Sequence, residues 1–160
     1  MDAVTQVREM VKALARSDGT FGRVVEGQGV SVPRLVREVA AKAERAWKEF
    51  AVAGAVGPDT PQEVEQALAQ IDTDRALELL TSLAVEDLVF PGHLHRDRTR
   101  VHQAADRVVR LLGRQADWYT NISGVSPGLS WSPVTRHTFD GVVAGAGNGI
   151  TVVLLQVGED

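Results

Sequence analysis

Gly145-Ala146-Gly147-Asn148-Gly149-Ile150-Thr151-Val152-Val153-Leu154-Leu155-Gln156-Val157 is the stretch that decides the fold. Asn148-Gly149 is the residue pair favoured in a two-residue hairpin turn, where both central positions need positive φ. The surrounding glycines also invite a phosphate-loop reading, but such loops run from a strand into a helix N-terminus, and here a strand follows. The stretch therefore reads as the turn and second arm of a hairpin, with strands over 134–144 and 150–157. Ile150, Val152 and Leu154 fall on one face of the last strand and Val153, Leu155 and Val157 on the other. A strand apolar at both parities needs both faces covered. A sheet of two to four strands can place the chain's own helices on one face, and a second subunit is the simplest cover for the other. The sequence thus predicts a homo-oligomer with the 134–157 hairpin at or near its interface.

Working outward, the apolar period changes from two to 3.6. Val4, Val7, Met10, Val11 and Leu14 mark a helix from Asp2, its cap, to about Arg16. Glycine and β-branched residues over 20–32 suit a short hairpin or an ordered loop, and strands from 21–32 are able to extend the C-terminal hairpin. Ser31 caps a helix running to about Val52, with Leu35, Val36, Val39, Ala40, Ala43, Ala46, Trp47 and Phe50 as its apolar stripe. Thr60-Pro61-Gln62-Glu63 has the form of a capping box and opens a helix through Ile71. A further helix starts at Asp72 or Thr73 and runs toward Leu88, and the longest runs from Arg96 to Trp118. The fold class is α+β, an assembly of four or five helices followed by an antiparallel hairpin. It is read as one domain over 1–160, with a helical part at 1–119, a loop at 120–133 and the hairpin at 134–157.

At 160 residues, 44% hydrophobic and 24% charged, the composition is that of a globular chain with one core. Its lack of cysteine excludes disulfides, thiolate metal sites and cysteine nucleophiles, and fits a reducing cytoplasm. The first residues already carry mixed charge and no run reaches the ~18 apolar residues of a membrane span, so no membrane association is expected. Fourteen arginines against three lysines, with abundant Ala, Val and Gly, fit a GC-rich bacterial genome. Charge is uneven: residues 54–95 hold eight acidic and one basic side chain, and 96–114 six basic and two acidic.

That basic segment carries the strongest local pattern. Arg96, Arg100, Gln103, Arg107, Arg110 and Arg114 share one helical face, a stripe able to lie along a phosphate backbone or simply to face solvent. No helix-turn-helix or zipper surrounds it, so nucleic-acid binding is expected to be weak. His93, His95 and His102, with Asp97, match no known metal-ligand spacing, and neither a metal nor another cofactor is expected. The serines at 123, 126, 130 and 132 belong to a Ser/Gly/Pro loop that accounts for them, so no catalytic residue is assigned. Trp118, Tyr119 and Trp131 bracket that loop, and with Arg136 and His137 they form a candidate partner surface to which Asn121 and Asp140 can add polar groups. These features give three functional expectations. The leading one is a non-enzymatic interaction or regulatory protein acting through protein–protein contacts. The others are a nucleic-acid-associated protein using the arginine stripe and a small enzyme using His93, His95, His102 or His137.

Overall fold

The computed structural model describes residues 1–46, 57–87, 89, 96–124, 130–137 and 139–158. Along the chain lie α1 (Ala3–Leu14), β1 (Thr20–Glu26), α2 (Val32–Ala46), α3 (Pro61–Ala67), β2 (Ala69–Ile71) and α4 (Thr73–Val85). There follow α5 (Arg98–Leu112), β3 (Asp117–Thr120), β4 (Ile122–Ser123), β5 (Ser130–Trp131), β6 (Phe139–Gly147) and β7 (Ile150–Gly158). The class is α+β, as the sequence predicts.

The hairpin forms about the expected turn. β6 and β7 pair antiparallel from Phe139↔Gly158 to Gly147↔Ile150. Asn148 and Gly149 take φ of 52° and 73°, the left-handed pair that a type I′ turn requires. β1 pairs antiparallel with β7, so the 21–32 region does extend the hairpin. Two strands not foreseen, β2 and β3, complete a five-stranded sheet in the order β1-β7-β6-β3-β2. β4 and β5 form a separate ribbon within the expected 120–133 loop.

Both faces of β7 are covered by the chain itself. Val143, Ile150, Val152 and Leu154 pack on one side with Val7 and Val11 of α1, Leu80 of α4 and Val108 of α5. Val142, Val153, Leu155 and Val157 pack on the other with Val36 and Val39 of α2 and Val64 of α3. This corrects the argument for a second subunit on the hairpin: five strands, rather than two to four, give enough area for a helical layer on each face. β6 and β7 are also internal strands, so neither offers an edge. Gln156 and Thr151 are the buried polar residues on β7, and Gln156 Nε2 donates to the carbonyls of Leu83 and Glu86 at the end of α4. Those acceptors would otherwise be orphans of a helix C-terminus, so the glutamine docks α4 onto the sheet.

Local capping fixes most helix starts. Asp2, Asp72 and Asp97 accept from the amides of Thr5, Arg75 and Thr99. Thr60 Oγ1 accepts from Glu63 N and donates to the Glu63 carboxylate, which closes the expected box in a variant form. The helix expected over 96–118 stops at Leu112, because Gly113 takes φ 90° and returns its N–H to Val109 and Arg110. Trp118 and Tyr119 therefore stand on a strand. The helix expected through Ile71 likewise stops at Ala67, and the next residues form β2. The expected continuation of α2 through Trp47 and Phe50 lies outside the described residues. Among the described residues, no helix is long and apolar enough to cross a membrane.

Candidate functional site

The aromatic and polar residues singled out in the sequence divide between core and surface. Trp118 is fully buried and leaves the candidate partner surface. Its ring lies on Gly145, where a Cβ would overlap the indole. Tyr119 is partly buried on β3, and the rings of Trp131 and Phe139 meet at a tilt of 42° with centroids 5.3 Å apart. Arg136 forms ion pairs with Glu44 at 3.0 Å and with Asp59, which hold its guanidinium above the usual arginine range.

Asn121, His137 and Asp140 come together in the interior, each 5% exposed or less. The Asp140 carboxylate accepts from Asn121 Nδ2 at 2.8 Å, from the amides of Val134 and Thr135, and from Thr135 Oγ1. Desolvation pushes its pKa above the ordinary value while these donors pull the other way. Asn121 replaces a missing ladder partner: its Oδ1 accepts from Val142 N, and its Nδ2 also donates to Ser132 O. The cluster pins residues 132–137 onto β6, so its hydrogen-bonding capacity is turned inward.

The arginine stripe is only partly available. Arg96 donates to Leu14 O, and burial lowers its pKa. Arg107 donates to Gln6 Oε1, and Arg110 pairs with Asp106 at 2.8 Å. Arg100 and Arg114 are exposed and have no hydrogen bond or ion pair among the described residues. His102 is exposed, with Nδ1 3.5 Å from Thr81 Oγ1. His93 and His95 lie outside the described residues, and among those described no three His, Cys, Asp or Glu gather as a metal-binding group.

The feature that faces outward is the open edge at β1. This strand pairs with β7 alone, at the end of the sheet. Val157 N donates to Gly19 O and Gly27 N donates to Gly149 O. Both bonds involve odd-numbered residues, so by strand alternation Phe21, Arg23 and Val25 direct their backbone groups toward β7. Gly22, Val24 and Glu26 direct theirs to the open side, where no partner stands among the described residues. α1 and α2 wall this edge from the two faces of the sheet. Gly22 permits the approach of α1, since a Cβ there would lie 2.6 Å from Val11 Cγ1. Beside Gly22 and Arg23 run two clefts of about 400 and 290 Å³. Among the described residues their charged lining is Arg8, Lys12, Arg23, Lys42 and Arg45 against Glu38, which pairs with Arg23 at 3.3 Å.

Sequence reading missed this site because edge position depends on strand order, which is set by pairings distant in the chain. The charges at Arg23 and Glu26, among Thr20, Phe21, Val24 and Val25, were the available signal, since exposed edges commonly carry charge. Comparisons with protein-family models, with curated proteins and with solved structures return no match, so the reading of the site comes from its own geometry.

Proposed function

We propose that this protein is a non-enzymatic interaction or regulatory module that binds an extended segment of a protein partner by strand addition along β1. The observation that carries the reading is the row of outward backbone donors and acceptors at Gly22, Val24 and Glu26, set in a trough between α1 and α2. An added strand would satisfy those groups while its side chains meet the two helical walls, which is how sheet-edge receptors combine affinity with specificity. The absence of cysteine favours a reducing cytoplasm as the place of this interaction.

The test uses peptides selected from a random displayed library on the immobilised protein, with amide hydrogen exchange as the readout. Selected peptides are expected to slow exchange at Gly22 and Val24. Val24→Pro should abolish their binding with little loss of stability, because the N–H it removes points away from β7. Peptides that protect other segments instead, or that bind a folded Val24→Pro variant equally well, would overturn the proposal.

A further inference from the structure

We infer that the segment taken up by the β1 trough is an acidic, extended peptide, an inference that rests on the strand-addition reading. Side chains of an added strand alternate between the two walls. One wall carries Arg8 and Lys12 of α1 and the other Lys42 and Arg45 of α2, so acidic residues are matched at both parities. These basic side chains are exposed, and among the described residues lining the clefts only Glu38 opposes them. At the far end of the strand, Glu26 and Asp2 line a separate cleft and reverse the local sign. The acidic residues of the peptide therefore belong beside Gly22, with neutral β-formers beyond.

Two other occupants are weighed by the same charges. A second copy paired edge to edge about a two-fold axis near Gly22 would set two basic rims opposite each other, which weakens strand pairing, whereas an axis near Val24 would set each rim against the Glu26 end of the other copy, so self-association is an outcome that the test must separate. A nucleic acid would neutralise the rim, but its phosphates would meet the outward carbonyls of Gly22 and Val24 and leave their N–H groups without strand partners.

The experiment measures fluorescence anisotropy of labelled probes on the full chain, with amide exchange on the same samples. The probes are a glutamate–valine peptide of about eight residues, its lysine–valine counterpart, the acidic peptide N-methylated at alternate amides, and a short single-stranded DNA. The acidic peptide is expected to bind about tenfold or more tighter than the lysine peptide at low salt, with the gap narrowing as salt rises. N-methylation should abolish binding without any change to the protein, and Lys12→Glu with Lys42→Glu should weaken it about tenfold. Equal binding of acidic and lysine peptides, both protecting Gly22 and Val24, would overturn the acidic preference and leave strand addition standing. Failure of every peptide to protect those amides would overturn both. Tight DNA binding that displaces the acidic peptide, or self-association lost in Val24→Pro, would assign the trough to a polyanion or to a second copy and overturn the inference.

Discussion

Asp140 shows how one side chain can hold a loop. Replacing it by Asn sets an amide N–H₂ where a carboxylate oxygen had accepted from Asn121, Val134 and Thr135, and each donor left unsatisfied in the interior costs about 1–3 kcal/mol. Asp140→Asn is therefore expected to lower the denaturation midpoint by that order, with exchange rising first at the amides of Val134 and Thr135. Burial raises the Asp140 pKa, so the folded chain keeps this proton to higher pH than the unfolded chain does. Its contribution to stability is full below the ordinary value of 3.8 and is lost as pH rises through the folded-state value. Urea midpoints measured from pH 3.5 upward should show this loss in the parent and not in Asp140→Asn. Gly145→Ala drives a Cβ into the Trp118 ring and should destabilise by about 1–3 kcal/mol, seen as a lower melting temperature and a changed near-ultraviolet spectrum. The sequence marked Asn121, Arg136, His137 and Asp140 as polar groups near an aromatic surface. That Asn121 and Asp140 serve the interior was not legible, because their backbone partners are supplied by a register fixed only in the folded sheet.

Among the elements, those governed by local chemistry were the readable ones. Asp2, Thr60 and Asp72 announced their helices, and Thr60→Ala should reduce stability by about 0.5–2 kcal/mol in equilibrium unfolding. Asn148-Gly149 announced its turn. β2 and β3 were not legible: three or four residues are too few to show alternation, and the apolar spacing of α5 ran on toward Trp118. Gly113 was the overlooked stop signal, a glycine just past a helix whose last turn carries Arg110. β1 makes its own prediction in the unliganded protein. Amides of Phe21, Arg23 and Val25 should exchange slowly and those of Gly22, Val24 and Glu26 quickly, and uniform protection along the strand would mean that the edge is already occupied.

Over the whole molecule, charge is sorted between the ends of the sheet. The chain as a whole is at −4, yet the β1 edge is basic, while the short β2 edge lies between acidic segments bearing Glu63, Glu65, Asp72 and Asp74. Such an arrangement steers a charged partner to one end, and the rate of its capture should fall as ionic strength rises. The strand order has another consequence, for the birth of the protein on the ribosome. Pairing joins Thr20 to Gln156, and β6 and β7, both internal, are the last strands of this sheet to be synthesised. While residues 1–138 emerge, α1 and α2 have no sheet on which to bury Val7, Val11, Val36 and Val39. The sheet-facing part of those apolar stripes stays uncovered until β7 has left the ribosome. Ribosome-stalled chains ending before β6 are accordingly expected to be cut by protease throughout and to recruit chaperones, and resistance should arrive in a single step once β7 is free.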